Sequence, residues 1–202
     1  SLGRLVTMNR REFLKLFGIT VATFSFFDLF PKIIKGRLLV RPPGSLVEDM
    51  FNAVCARCGR CIQICPTAAI SMAGLGDGFK ELGTPKIDGL KGSCERIQGR
   101  CESQAKCADV CPTGAIRAVR RENVKLGSTV LNTGKCIAWQ GGACLACYEV
   151  CPVLGAIAVI DESRPLFDEN ICVGCGRCVY ACPAQPKALT LTSKGERRTW
   201  PT

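Results

Sequence analysis

Sixteen cysteines fall into four motifs, and every motif ends in Cys-x3-Cys-Pro. The first motif (55–66) and the fourth (172–183) share the tight spacing Cys-x2-Cys-x2-Cys-x3-Cys-Pro. The second motif (94–112) and the third (136–152) begin with wider gaps. Thiolates are soft ligands that select copper(I), zinc and iron–sulfur clusters, so the spacing points first to metal chemistry.

The tight spacing of motifs one and four is the arrangement of bacterial ferredoxins. Three closely spaced thiolates bind one cubane, and the fourth, before the proline, binds a different cluster. Since each motif supplies four thiolates, we predict four 4Fe–4S clusters. The predicted ligands are Cys55, Cys58, Cys61, Cys65, Cys94, Cys101, Cys107, Cys111, Cys136, Cys144, Cys147, Cys151, Cys172, Cys175, Cys178 and Cys182.

The crossover of the fourth ligand leaves open which motifs share clusters. From a nested symmetry along the chain, we expect motifs one and four to share two clusters, and motifs two and three to share the other two. Cys182 would then bind the cluster that is held mainly by the first three cysteines of motif one.

Disulfides and zinc are the alternatives for these cysteines. An even number of cysteines in an exported protein often forms disulfides, but neighbouring thiols in these motifs are too close to pair independently. Four-cysteine zinc sites usually consist of two separated Cys-x2-Cys pairs, whereas motifs one and four place three ligands in one run. Iron–sulfur clusters are therefore the favoured interpretation.

The composition excludes several other functions. The chain has no histidine, which rules out histidine-ligated haem, Rieske centres and catalytic triads with a histidine base. Its formal net charge is +10, but four oxidised clusters with their thiolates carry about −8 together, which leaves about +2. No run of five like charges occurs, so we do not expect nucleic acid as a partner.

Short extended segments must position the motifs. An apolar run follows each Cys-Pro, at 69–72, 115–119, 156–160 and 188–191, and an extended stretch precedes three motifs, at 86–88, 129–131 and 166–168. These patterns predict an α+β fold of tandem bacterial-ferredoxin-like two-cluster modules with pseudo-twofold symmetry. We expect a small, loop-rich domain over 37–202, in which the glycine-rich stretch 71–93 is an inserted surface loop.

The amino terminus has the features of an export signal. Asn9-Arg-Arg-Glu-Phe-Leu-Lys15 precedes an apolar run to Phe30, a twin-arginine pattern used to export folded, cofactor-loaded proteins. An amphipathic surface helix is the alternative. We expect residues 1–36 to form a helical leader that is retained as a membrane anchor, which places the protein at the extracytoplasmic face of the cytoplasmic membrane.

Charged and aromatic residues near the ligands are candidates for tuning the clusters. Arg57, Arg60, Arg177 and Lys187 would raise the reduction potentials of the clusters in motifs one and four, because nearby positive charge favours the reduced form. The alternative for each is a solvated surface charge. We expect Trp139 and Tyr148 to pack against clusters rather than to relay electrons.

Beyond the spacing of its cysteines, the chain resembles the NapG/MauM ferredoxin-type proteins. The resemblance includes the twin-arginine leader, Arg41-Pro-Pro-Gly44 with Glu48 and Phe51, Gly83-Thr-Pro85, and Cys136-Ile-Ala-Trp-Gln-Gly-Gly-Ala-Cys144. The chain departs from the family in motif two, where the gap between Cys101 and Cys107 is longer than usual.

The resemblance implies an electron carrier rather than an autonomous enzyme. Its expected donor is a polytopic quinol-oxidising membrane protein of the NapH/MauN type, and its expected acceptor is a terminal oxidoreductase or c-type cytochrome. A four-cluster subunit bound permanently in a molybdopterin-type oxidoreductase complex is one alternative, and a metal-loading assembly factor or scaffold is another. No flavin or nucleotide fingerprint appears in the sequence.

Overall fold

A computed structural model describes residues 10–11, 38–101 and 105–199. The expected leader and its helix lie outside these ranges, except for Arg10 and Arg11, which are helical and exposed. Within the described ranges, no helix has both the length and the apolar character needed to cross a membrane. The domain itself is built from short elements, with α-helices at Glu48–Val54, Arg60–Gln63, Lys106–Asp109, Ala146–Glu149 and Arg177–Ala181.

In the described part of the chain, three antiparallel strand pairs accompany the helices. The strands are β1 (Ile70–Met72), β2 (Pro85–Ile87), β3 (Ser128–Leu131), β4 (Ile157–Ile160), β5 (Arg164–Phe167) and β6 (Leu189–Thr192). β1 pairs with β2, β4 pairs with β5, and β3 pairs with β6. Short strands and short helices around cysteine loops make an α+β fold of the kind that the sequence predicts.

The same order of elements recurs in the two halves of the domain. The β1–β2 hairpin lies between motifs one and two, and the β4–β5 hairpin lies between motifs three and four. In the carboxyl-terminal half, β3 before motif three pairs with β6 after motif four. In the amino-terminal half, Ser45 and Ile116 form an antiparallel bridge in the corresponding place. A twofold relation between the halves stays a prediction.

Most of the predicted extended segments are strands, with two differences. The segment 115–119 contributes only the bridge at Ile116. The stretch 71–93 is not simply a surface loop, because it contains the end of β1 and all of β2. Ile70 and Ile87 face each other across this hairpin and are 4% and 6% exposed, so burial of apolar surface anchors the insertion to the core.

A buried arginine joins the segment before motif one to this hairpin. Arg41 is 1% exposed, and its guanidinium carbon lies 4.6 Å from the centre of the Phe51 ring. Its Nε donates to both carboxylate oxygens of Glu48 at 3.2 Å, and its Nη1 donates to Thr84 Oγ1 at 2.7 Å and the Pro85 carbonyl at 2.8 Å. A buried charge needs such partners. Arg41, Glu48, Phe51 and residues 84–85, which all belong to the family resemblance, therefore form one group of contacts around the buried guanidinium.

Candidate iron–sulfur sites

The sixteen cysteines are free thiols that line four separate cavities, four thiols in each. Site A contains Cys55, Cys58, Cys61 and Cys111. Site B contains Cys65, Cys94, Cys101 and Cys107. Site C contains Cys151, Cys172, Cys175 and Cys178. Site D contains Cys136, Cys144, Cys147 and Cys182.

The crossover of the fourth cysteine is present, but the nested pairing of motifs is wrong. Cys111 of motif two lies at site A, and Cys65 of motif one lies at site B. In the same way motifs three and four exchange Cys151 and Cys182, so Cys182 lies at site D rather than with motif one. Consecutive motifs therefore form each pair of sites.

Chain connectivity explains this correction. The helix Arg60–Gln63 packs against Lys106–Asp109, and Ala146–Glu149 packs against Arg177–Ala181. A hairpin lies between the two motifs of each pair and reverses the direction of the chain, so that the second motif can lie beside the first. Closing a short loop costs less entropy than closing a long one, which favours partners that are neighbours in sequence.

Glycines allow the cysteine loops to bend tightly around the cavities. Gly59 and Gly176 precede the helices of motifs one and four, with φ of 74° and 81°, a left-handed conformation that disfavours other residues. Gly174 approaches β3 so closely that a Cβ there would lie 2.7 Å from the carbonyl carbon of Gly127. The loop of site C therefore rests directly on the backbone that begins β3.

Burial disfavours the charged form and raises the pKa of eight of these thiols. Burial raises the pKa of Cys94 and of Cys178 to about 12, and that of Cys175 to about 11. A bound metal cation reverses this effect and deprotonates a coordinating thiol. The sites are thus electrostatically suited to a cationic centre that balances several buried thiolates.

The pKa of Cys111 is shifted in the opposite direction to those eight. Burial acts to raise its pKa, but a hydrogen bond from the Ile116 amide and one with the Thr113 hydroxyl outweigh burial, so its pKa is lowered. The Ile116 nitrogen lies 3.4 Å from Cys111 Sγ. This position therefore favours a thiolate.

Thr129 is a site residue that the sequence analysis did not single out. It is 2% exposed, lines site C, and places its hydroxyl 3.5 Å from Cys178 Sγ and 3.9 Å from Cys172 Sγ. A hydroxyl that donates to ligand sulfur raises the reduction potential of a cluster. A threonine within a strand carries no sequence signal for this role, because its contact with Cys178 joins residues 49 positions apart in the chain.

The exposed side of site A is formed by the motif-one loop. Cys58 is the one exposed thiol of the sixteen. Arg57 and Arg60 beside it are both exposed, and Arg57 donates from Nε to the Leu82 carbonyl at 2.9 Å and from Nη2 to the Lys80 carbonyl at 3.1 Å. Arg57 therefore fixes the insertion against site A, and its expected effect on potential stays a prediction, as does that of Arg60.

Two other predicted tuning residues have specific partners. Lys187 donates to the Tyr180 carbonyl at 3.0 Å and to the Cys182 carbonyl at 2.5 Å, so it fixes the end of the motif-four helix beside site D. Arg177 lines site C and pairs with Glu95, which lines site B. Neither side chain is simply a solvated surface charge.

Trp139 anchors the long loop of motif three. Its Nε1 donates to the Pro165 carbonyl at 3.2 Å, and the guanidinium carbon of Arg164 lies 5.5 Å from the ring centre. The ring packs against the buried side chains that include Cys136, and its expected packing against an iron–sulfur cluster stays a prediction. Tyr148 is 49% exposed, and its expected packing against a cluster stays a prediction.

The donor set fits iron–sulfur clusters. Every site offers four sulfur donors, and thiolates are the usual ligands of 4Fe–4S clusters. Among residues 10–11, 38–101 and 105–199, no group of three or more cysteine or acidic side chains has the spacing of a site for a single metal ion.

Comparison with known proteins agrees with this chemistry. A family model described as a 4Fe-4S dicluster domain matches residues 54–115, and one described as a 4Fe-4S binding domain matches residues 163–184. The chain is 31% identical over 194 residues to the methylamine utilization ferredoxin-type protein MauM of Methylophilus methylotrophus, covering 90% of this chain and 83% of the relative.

Two further relatives give the same picture. The ferredoxin-type protein NapG of Escherichia coli K12 is 31% identical over 175 residues, covering 78% of this chain and 73% of the relative. The MauM protein of Paracoccus denitrificans Pd 1222 is 36% identical over 156 residues, covering 71% of this chain and 66% of the relative.

Proposed function

The chain belongs to the NapG/MauM ferredoxin-type family of 4Fe–4S proteins, and we propose that it carries electrons through four clusters held at sites A to D. All sixteen cysteines are the ligands in this proposal. When bound, a 4Fe–4S cluster supplies one-electron transfer. The chain itself supplies ligands, spacing, insulation from water and the local charges that adjust each potential.

One observation carries the proposal, namely the division of sixteen thiols into four sets of four in four separate cavities. Sites A and B exchange ligands through motifs one and two, and sites C and D through motifs three and four. Sites B and C meet where the Cys94 amide donates to the Cys175 carbonyl at 2.8 Å. The sites therefore form one series in the order A, B, C, D.

The ends of this series are the proposed points of electron entry and exit. Site A is at one end, where Cys58 is exposed, and site D is at the other end. We propose a polytopic quinol-oxidising membrane protein of the NapH/MauN type as donor, and a terminal oxidoreductase or c-type cytochrome as acceptor. Retention of the amino-terminal leader as an anchor at the extracytoplasmic face would keep the chain beside this donor.

An iron and acid-labile sulfide count, combined with a stepwise EPR redox titration, tests this function. The protein should be purified anaerobically from its native membrane with its bound partners. We expect about sixteen iron per chain and four interacting reduced signals, since each 4Fe–4S cluster contributes four irons. Zinc or disulfides in place of most of the iron would refute the proposal.

The copurified proteins test the partners separately. A polytopic membrane protein in the preparation supports the quinol pathway. Fixed stoichiometry with a large molybdenum-containing chain supports instead a permanent subunit of a molybdopterin-type complex, and would refute the proposed donor while leaving the cluster content intact.

A further inference from the structure

The two halves meet at a close backbone contact between ligands of different sites. The Cys94 amide of site B donates to the Cys175 carbonyl of site C at 2.8 Å. Glycines permit this approach, because a Cβ at Gly176 would lie 3.3 Å from the Cα of Gly89 and 3.1 Å from the Leu191 side chain. This hydrogen bond directly connects a predicted ligand residue of site B with one of site C.

A partly buried ion pair crosses the same contact. Glu95 follows Cys94, and Arg177 lies between two cysteines of site C. The Arg177 Nη1 donates to the two Glu95 carboxylate oxygens at 3.2 and 3.3 Å, and the side chains are 26% and 3% exposed. Arg177 also donates to Gln98, and Ser93 donates to Glu95 at 2.7 Å.

Stability alone is a poor explanation for this pair. Removing two charges from water costs free energy that their attraction often only offsets, and apolar residues of similar volume are frequently as stable. The pair has instead a direction relative to the sites, because Glu95 lines site B and Arg177 lines site C. A third charge, Arg100, lies 3.5 Å from Glu95 but is 65% exposed, so solvent screens it more strongly.

We propose that electrons cross between the halves at the Cys94–Cys175 contact, and that the Glu95–Arg177 pair shifts them from site B toward site C. A negative charge disfavours an added electron and a positive charge favours it, so the carboxylate lowers the potential of site B and the guanidinium raises that of site C. This inference rests on the proposed function of the four sites.

The step moves one electron between the two sites. Site B is oxidised as site C is reduced, and no bond is made or broken and no proton moves. Glu95 and Arg177 do not react. They are positioning residues whose fixed charges set how an electron is shared between the halves, and the low exposure of Glu95 keeps water from screening its charge.

Neutralising each charge tests the proposal. In Glu95→Gln the potential of site B should rise, and in Arg177→Gln that of site C should fall. For each change we expect the ratio of protein reduced at site C to protein reduced at site B to decrease about tenfold. This decrease corresponds to a shift of about 59 mV in one potential, for a one-electron couple. EPR redox titration measures both potentials, with Cys101→Ala and Cys172→Ala identifying the signals of sites B and C.

Three further variants separate charge from packing. Arg177→Lys keeps the charge and should retain potentials close to those of the unchanged protein. The double variant that combines Glu95→Arg with Arg177→Glu keeps an ion pair but reverses its direction. The ratio should therefore fall further than in Glu95→Gln or Arg177→Gln alone. Glu149→Gln removes an exposed carboxylate within two residues of both Cys147 and Cys151 and should leave the ratio unchanged.

Iron content distinguishes the two levels of proposal. A deficit of iron in the unchanged protein contradicts the four-cluster function. A full iron content with the same B and C potentials in Glu95→Gln and Arg177→Gln overturns the role of the ion pair. Loss of iron from all the Glu95 and Arg177 variants also overturns it, because the pair would then act in assembly rather than in electron sharing.

Discussion

Replacement of Cys111 by alanine should damage site A, although Cys111 belongs to motif two. Its thiol lies in the same cavity as Cys55, Cys58 and Cys61. The nested pairing expected from sequence predicts a different result, in which the fourth ligand of site A comes from Cys182. The two arrangements can therefore be separated with single substitutions.

The size of the effect follows from the ligand count. Site A keeps three thiols in Cys111→Ala, and three thiolates can hold three irons of a cubane while the fourth iron loses its protein ligand. The expected loss lies between about one iron, for conversion to a 3Fe–4S cluster, and about four irons, for loss of the whole cluster, out of about sixteen. Site B keeps all four of its thiols and should retain its signal.

Iron analysis and EPR of the oxidised protein measure this outcome. In Cys111→Ala a 3Fe–4S signal should appear in the oxidised protein, and one reduced 4Fe–4S signal should change. Cys58→Ala, at the exposed ligand of the same site, should change that same reduced signal, which assigns it to site A. Cys182→Ala is the matched control, since it also removes the cysteine before a Cys-Pro bond but lies at site D. It should remove a different reduced signal.

One result would refute the pairing. If Cys182→Ala and Cys58→Ala remove the same reduced signal, while Cys111→Ala spares it, then the nested arrangement is correct and the cavities are misassigned.

Three further predictions follow from the contacts described above. Arg41→Met should lower the free energy of unfolding by about 3 kcal/mol, because Glu48 loses its buried partner. This value is the lower end of the cost of leaving a buried charge unpaired, since Arg198 still lies 3.3 Å from Glu48. The Tm should fall by roughly 6–12 °C. Thr129→Val should lower the potential of site C in an EPR titration, because it removes the hydroxyl 3.5 Å from Cys178 Sγ, which can donate to a ligand thiolate. In cluster-free protein, burial raises the pKa of Cys94 from the ordinary 9.0 to about 12. The contribution of the protonated thiol to the free energy of unfolding should therefore be complete below pH 9 and be lost as the pH rises toward 12. Denaturant titrations across this range measure the loss.

Each of these predictions has a control. Combining Arg41→Met with Glu48→Gln removes the unpaired charge and should recover part of the lost stability; no recovery would contradict the buried-charge argument. Thr129→Ser keeps a hydroxyl and should retain more of the potential than valine does. For the pH series, cluster-loaded protein should lack the thiol titration, and an identical alkaline decline in both forms would argue against protonated ligand thiols.

The sequence by itself determined the chemistry of this protein. The number of cysteines, their spacing before proline and the lack of histidine select iron–sulfur clusters, since ligand type and local spacing are properties of the chain and not of its packing. The order of short strands and cysteine loops was predictable for the same reason, because apolar runs and turn residues act locally. The strand segments at 69–72 and 156–160 are examples.

Only the tertiary structure decided how the motifs combine. All four final cysteines share the same Cys-x3-Cys-Pro pattern, so this pattern does not specify which cavity Cys111 or Cys182 will reach. Packing between the helices of consecutive motifs makes that choice. The roles of Thr129 and Glu95 depend in the same way on distant partners, at Cys178 and at Arg177. Their functions arise from contacts between residues far apart in the chain, which a pattern of spacing along one segment does not encode.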